Sequence, residues 1–425
     1  MDFDQAVAAI AALAPRGWRL GLDRMQAFVD RAGLLKGSRP NFIQVAGTNG
    51  KGSVTATLQS LMVASGKNTG GYFSPYVYDV RERVQHNQEL ISPEEFAAWT
   101  SELLPIAAAM DETEYAGVTE FEFKTALGFL AFERWNCDWV ALEVGLGGRL
   151  DASSVCTPKC GVIVSIGLDH VDILGQSYAE IAREKAGICK PNLPLVIGEM
   201  PAEATAAIRE VANGLNCDVW QIGREMIVER RAERVTLQTP TAAFDFPLAV
   251  LAGPHQIGNA ALAVAAAYRA GLEFSQEQLD AGILNTRIPG RFEVIKIGAK
   301  TFILDGAHNA ESASALATTL SEKGYSKFAL VTGMLHGHDP VSFLQPLRPL
   351  IEALFVCPVS FGRTRTPQEV AEKAQDCAVK ISVCGSALEA IRLAAAENNV
   401  VVVSGSFYLV GELGTLLRSG AVPVS

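Results

Sequence analysis

Three glycines, a lysine and a serine fall within the seven residues "GTNGKGS", 47–53. Before them, Phe42 to Ala46 is an apolar run long enough for a buried strand. After them, Val54, Leu58, Leu61 and Met62 recur at helical spacing, and Gly66 is a fitting stop. A strand, a glycine-rich loop and a helix start together make an anion site. Unpaired N–H groups and the helix dipole point at the loop, and Lys51 adds a full positive charge. The usual phosphate loop has four residues between its first glycine and its Gly-Lys pair. Here only Thr48 and Asn49 separate Gly47 from Gly50, and Gly52 stands between Lys51 and Ser53. The competing account is an ordinary strand-to-helix turn with a chance lysine.

Further residues could do chemistry beside such a loop. In "DWVALEVGLGGRLDAS", Glu143 ends an apolar strand and is followed by Gly145, Gly147 and Gly148. A carboxylate there is placed to hold Mg²⁺ or a water on it; the alternative is a solvated loop acid. Arg149 and Asp151 read equally well as surface charges. In "CGVIVSIGLDHVDILG", a strand runs into Asp169-His170. A lone histidine is more often structural, but at this place one ring nitrogen could ligate a metal. Lys185, in the helical pattern "EIAREKAGI", reads by itself as a solvated lysine. Asn259 opens the helix of "GPHQIGNAALAVAAAY" and could cap it or read an adenine edge. Arg291 in "PGRFEV" could fork onto a phosphate. Asp305 in "LDGAHN" could accept from a ribose hydroxyl or from a water near a metal.

The elements that must position these groups are β-type runs at 42–46, 139–144, 161–166, 194–198, 301–305, 328–333, 353–357 and 399–404, with helical patterns between most of them. That alternation predicts an α/β fold of parallel-rich sheets with helices on both faces. Ligands in such folds bind beyond the carboxyl ends of the strands. A new strand–loop–helix series follows Pro289-Gly290. The expected domains are therefore 1–290, carrying the phosphate loop, and a smaller Rossmann-like α/β domain, 291–425.

The chain has 425 residues, 49% apolar and 19% charged, with a net charge of −10. This composition suits a well-cored globule and argues against nucleic acid or an anionic membrane as partner. Anionic small substrates remain open, because they need only a local cluster of cations. The start, "MDFDQAVAAIAALAPRGWRL", has acids and no basic leader, so no secretory signal is expected. The apolar stretch around residue 250 is broken by Gly253, Pro254, His255 and Asn259, which excludes a membrane span there. The eight cysteines include no CxxC pair; Cys156 and Cys160 are the only close ones, and zinc is not expected. Reduced thiols and a cytoplasmic protein are the plain reading.

Taken in order, "VAGTNGKGSV", "FSPYVYDVRERV", "TEFEFKTALGFLAF", "ALEVGLGGRLDA", "SIGLDHVDILG", "EIAREKAGI", "PGRFEV" and "LDGAHN" resemble the folylpolyglutamate synthase/dihydrofolate synthase family of the Mur ligase superfamily. The resemblance runs from about residue 17 to the end and is densest between 45 and 190. The shortened loop is that superfamily's form of the phosphate loop. The resemblance implies a monomeric enzyme that uses ATP and two Mg²⁺ ions to join L-glutamate to dihydropteroate and to reduced folates through an acyl phosphate. It implies that Thr48, Asn49, Gly50, Lys51, Gly52 and Ser53 bind the ATP phosphates, and that Asn259, Arg291 and Asp305 contact the nucleotide. Ser74, Glu143 and His170 match its magnesium ligands, and Lys185 its carbamylated lysine, whose carbamate holds the second ion. Lys51, His170 and Lys185 would be the catalytic groups. Arg19, Leu20, Gly21 and Leu22, then Thr119, Glu120, Phe121 and Glu122, then Leu150, Asp151 and Ala152 match the pterin contacts.

The chain departs from the family pattern at Tyr76 (often His), Val171 (Thr), Ser153-Ser154 (Thr-Asn) and Ala310 (Pro). None of these is a proposed metal ligand. Other readings are another Mur-type ligase, against which "TEFEFKTA" and "GLGGRLDA" argue; a small-molecule kinase with the same loop; and a nucleotide-binding regulator, which would need none of the second-domain motifs.

Overall fold

The structure, a computed structural model, describes residues 1–17, 19, 21–37, 40–248, 250–362, 364–375 and 380–422. The chain forms two compact units. Met1–Pro75, Val80–Val250 and Ile257–Thr286 make the first, and Tyr76–Asp79, Leu251–Gln256 and Arg287–Ser425 make the second.

The first unit is built on eight strands: β1 (Asn41–Ala46), β2 (Thr69–Tyr72), β3 (Val84–His86), β4 (Glu89–Leu90), β5 (Trp139–Glu143), β6 (Cys160–Ile163), β7 (Leu195–Ile197) and β8 (Val219–Gln221). Their order is β4-β3-β2-β5-β1-β6-β7-β8. From β2 to β8 all neighbours are parallel, while β2–β3 and β3–β4 are antiparallel. Side chains alternate across a strand, and a sheet covered on both faces buries both sets. Phe42, Val140 and Leu142 accordingly join one core with the helices Pro93–Ala109 and Glu120–Arg134. Ile43, Val45 and Ala141 face the other way, onto the helices Lys51–Ala64 and His255–Arg269. A separate antiparallel sheet of β9 (Ile227–Arg231), β10 (Arg234–Gln238) and β11 (Ala243–Pro247) completes the unit. The sequence reading did not contain it, because β9 is largely exposed and rich in charge, without the apolar run of a buried strand.

The second unit has β12 (Glu293–Ile297), β13 (Lys300–Leu304), β14 (Phe328–Thr332), β15 (Ile351–Val356), β16 (Lys380–Val383) and β17 (Val400–Ser404) in the order β12-β13-β17-β14-β15-β16. Only the β12–β13 pairing is antiparallel. Val401 and Val403 enter one core and Val402 the other, so β17 is buried on both faces. Among the described residues no helix is long and apolar enough to cross a membrane.

Candidate active site

Register puts the chemistry at one end of the first sheet. β1 lies between β5 and β6, with Val45 beside Glu143 and Ala46 beside Ile163. The phosphate loop thus leaves the sheet between the residues that follow β5 and those that follow β6. Gly50 takes a φ of +83° and opens the helix Lys51–Ala64. A Cβ at Gly50 would lie 2.8 Å from Val164 Cγ1 and 2.9 Å from Asn259 Oδ1. No side chain fits there, and the Asn259 amide lies against the loop. Asn259 sits within the helix His255–Arg269 rather than capping it; the loop, not the helix end, is what its amide faces. The continuation of β6 supports the loop from beside it. Thr48 N donates to Ser165 O at 2.9 Å, Asn49 N to Ser165 Oγ at 3.0 Å, and Gly167 N to Thr48 Oγ1 at 3.0 Å. Lys51 Nζ donates to Gly47 O at 3.0 Å and Thr48 O at 3.2 Å, so its ammonium lies over the loop's own backbone. Gly52 and Ser53 are the next residues of the helix's first turn, and both are buried.

Glu143 is 3% exposed, and its Oε2 accepts from Ser74 N at 2.9 Å, joining the end of β5 to the residues that follow β2. His170, at φ +50°, opens the short helix Val171–Leu174 after β6, with its N–H donated to Asp169 Oδ1 at 2.9 Å. Lys185 overturns the reading of a solvated lysine. It is 4% exposed, and its Nζ donates to Gly47 O at 3.0 Å. The helix Tyr178–Ala186 reaches the loop because the turn below it carries no Cβ: one at Gly148 would lie 2.7 Å from Lys185 O and 2.9 Å from Glu184 O. Burial first, and then the Lys51 charge, lower the Lys185 ammonium from the usual lysine value to about 7, against the pull of Asp169 and Asp151. Near neutral pH a substantial share is the free amine, the form that can add carbon dioxide. The Ser74 hydroxyl, the Glu143 carboxylate and a carbamate on Lys185 would be oxygen donors of the kind that hard divalent cations take.

The three stretches matched to a pterin site are also joined. Thr119 caps the helix Glu120–Arg134 in a reciprocal box with Glu122. Glu122 takes Arg24 Nε at 2.8 Å, and Arg24 Nη2 reaches Arg19 O, which ties in the segment around Gly21 and Leu22. Leu20 lies outside the described residues. The Arg19 guanidinium turns onto Tyr115 O (2.8 Å) and Ala116 O (3.1 Å). Glu120 pairs with Lys124. Phe121 packs on Gly145, where a Cβ would come within 2.3 Å of the ring. Asp151 is not a surface charge: it is buried, and its carboxylate accepts from Gly145 N, Leu146 N, Ser153 N and Ser153 Oγ at 3.1, 3.0, 3.0 and 2.6 Å. It folds the loop that carries Leu150 and Ala152, and burial pushes its carboxyl above the ordinary value. Arg149 is exposed and pairs with Glu184.

In the second unit, Asp305 follows β13 and accepts from Phe292 N and Ala307 N, each at 2.9 Å. Burial raises its carboxyl, and the Arg291 charge opposes that. The Arg291 guanidinium lies over the Phe407 ring, 4.2 Å from its centre. No motif of the sequence singles out Arg24, Ser165 or Phe407. Ser165 could have been found as a polar residue just past a strand end; nothing in spacing marks Arg24, whose partner is 98 residues away.

Comparison with known proteins shows the family. The Mur ligase middle domain family matches residues 45–267, and the Mur ligase, glutamate ligase domain family matches residues 290–407. Dihydrofolate synthase/folylpolyglutamate synthase of Bacillus subtilis is 31% identical over 414 residues, 95% of this chain and 96% of the relative. The structure of Escherichia coli FolC in complex with DHPP and ADP aligns with a TM-score of 0.89 at 29% identity, covering 99% of each chain. A bifunctional folylpolyglutamate synthase/dihydrofolate synthase with Mn, AMPPNP and L-glutamate bound aligns with a TM-score of 0.87 at 29% identity, covering 98% of each. Two Mur ligase domains in sequence, and a likeness that spans nearly the whole chain, place this protein in the dihydrofolate synthase/folylpolyglutamate synthase family of the Mur ligases.

Proposed function

We propose that this chain is an ATP-dependent ligase that joins L-glutamate to dihydropteroate, forming dihydrofolate, and to reduced folates, forming folylpolyglutamates. The observation that carries the reading is the convergence of Lys51 and Lys185 on the Gly47 carbonyl, beside Glu143. An acceptor carboxylate and the γ-phosphate of ATP are both anions, and the site must offset their repulsion. The acceptor oxygen attacks phosphorus, ADP leaves, and an acyl phosphate forms. The free amine of glutamate then attacks the acyl carbon; phosphate leaves with the C–O electron pair and the nitrogen loses a proton to become the amide. No side-chain nucleophile is required.

In this reading Thr48 to Ser53 surround the phosphates, with the first-turn N–H groups of the helix and Lys51 toward them and the Thr48 and Asn49 N–H groups held by Ser165, and Asn259 would contact the nucleotide. Arg291 and Asp305 match the family's nucleotide contacts and would serve that role here. Ser74, Glu143 and His170 would hold magnesium, with Lys185 as its carbamate at a second ion; the bound cations supply charge neutralisation on the phosphate oxygens. The depressed ammonium of Lys185 supports that role, since an amine must lose its proton before it adds carbon dioxide. The Arg19–Leu22, Thr119–Glu122 and Leu150–Ala152 stretches would wall the pterin. The test is ADP release with ATP and Mg²⁺, comparing dihydropteroate with tetrahydrofolate. Release that requires both the pterin acid and glutamate supports the ligase; release with a pterin acid but without glutamate, leaving a phosphorylated acceptor as the end product, would make the protein a kinase.

A further inference from the structure

Arg83 ends the turn Val80–Arg83 and is 7% exposed, and its carbonyl accepts from Phe73 N at 3.0 Å, just past β2. Its Nη1 donates to Tyr72 OH at 3.2 Å. Tyr72 is fully buried, and its hydroxyl is 2.9 Å from Thr125 Oγ1. Thr125 Oγ1 in turn donates to Phe121 O at 2.8 Å. The same guanidinium lies over two rings, 5.6 Å from the centre of Tyr72 and 5.4 Å from that of Phe121. Arg83 thus reaches Phe121 twice, through a hydroxyl relay to its backbone and by direct contact with its ring. Gly145 supplies the other constraint, because the Phe121 ring fills the space a Cβ would need. A planar, permanently charged group is the side chain that can stack on rings and donate at once.

We propose that Arg83 is a positioning residue that fixes the Phe121 ring as a flat wall and thereby sets affinity for a flat, conjugated acceptor acid. This rests on the reading of Thr119–Glu122 as part of the acceptor site. A mobile Phe121 would have to be ordered by each incoming acceptor, and that ordering cost would be taken from binding. ATP, held by the phosphate loop, would not feel it.

The test measures KM for dihydropteroate, KM for ATP, kcat and thermal midpoint for Arg83→Met, Arg83→Lys, Tyr72→Phe and Phe121→Ala. Arg83→Met is expected to raise the dihydropteroate KM about tenfold, with the ATP KM within about twofold of wild type. Arg83→Lys should recover part of the loss, since it keeps the charge but not the fork. Tyr72→Phe keeps the core volume and removes only the oxygen that Arg83 grips; it should move the same constant about threefold even if Arg83→Met does not fold. If the variants raise both KM values alike or lower kcat along with the thermal midpoint, Arg83 is merely structural and the proposal is overturned. If Phe121→Ala raises the dihydropteroate KM while Arg83→Met and Tyr72→Phe do not, the acceptor site stands and the proposal alone fails. An unchanged dihydropteroate KM in Phe121→Ala removes Phe121 from the acceptor site and the proposal with it.

Discussion

At the scale of single residues, two lysines share one carbonyl and have different tasks. Lys51 stands on the loop, so Lys51→Ala should remove turnover by a factor of about a hundred or more, as loss of a preorganised charge does, with the fold intact by circular dichroism. Near-wild-type turnover at saturating ATP would sink the assignment. Lys185 carries its own pH signature. Its folded-state value is about 7, below the ordinary lysine value. Below about 7 the folded chain buries a charged ammonium and bears the full penalty. Between that value and the ordinary one, the unfolded chain binds a proton that the folded chain does not, so stability rises with pH across the window. Denaturant unfolding of the metal-free protein from pH 6 to pH 10 should show this rise in wild type and lose it in Lys185→Met. For activity, Lys185→Ala and Lys185→Arg should both be crippled, Arg because it cannot form a carbamate, and short carboxylic acids should restore part of the rate in Lys185→Ala. Intact mass of the wild type, looking for one added carbon dioxide, checks the modification directly.

At the scale of elements, the glycines of the loop 145–148 act as spacers between helices. A Cβ at Gly148 would meet the backbone oxygens of Lys185 and Glu184, which cannot swing aside as a side chain could. Gly148→Ala should therefore cost about 1–3 kcal/mol, the usual range for overpacking, and should displace the helix that presents Lys185. The expected result is a lower thermal midpoint together with a fall in kcat larger than stability alone explains; a stable variant with full turnover would show that the helix can shift without consequence. Glu143→Gln tests the strand end in the same way. It preserves shape and the contact from Ser74 N but removes the charge a hard cation prefers. The magnesium concentration for half-maximal rate should rise severalfold while the dihydropteroate KM stays. The opposite pattern would move Glu143 to the acceptor site.

At the scale of the whole molecule, the net charge of −10 coexists with a locally cationic loop. Nucleotide binding should therefore be read as linkage rather than as bulk electrostatics. Mg²⁺–ADP at a hundred times its dissociation constant adds about 2.7 kcal/mol to the stability of the state that binds it, which should raise the thermal midpoint by several degrees. Lys51→Ala should lose most of that rise; an equal rise in the variant would place the nucleotide elsewhere.

The sequence by itself determined the local pattern. Runs such as 42–46 and 399–404 read as strands because they are short and rich in Val and Ile, as strands buried on both faces are. Gly47 and Gly50 punctuate a turn because they alone permit its backbone. Family membership was legible too, since its motifs are short and contiguous. What sequence could not carry was which charged side chains are buried and which groups they meet. Lys185 sits in a helical pattern that looks solvated, and only packing against Gly148, 37 positions earlier in the chain, turns it inward. Asp151 reads as a loop charge until the fold closes four donors onto it. Arg81 and Arg83 are two residues apart in one charged run, and only the tertiary structure sends Arg83 under Tyr72 and Phe121. The physical reason is the same in each case. Periodicity reports which face of an element is apolar, but the cost of burying a charge is met by particular donors and acceptors, near in the chain for Asp151 and distant for Lys185, that only the folded protein aims at it.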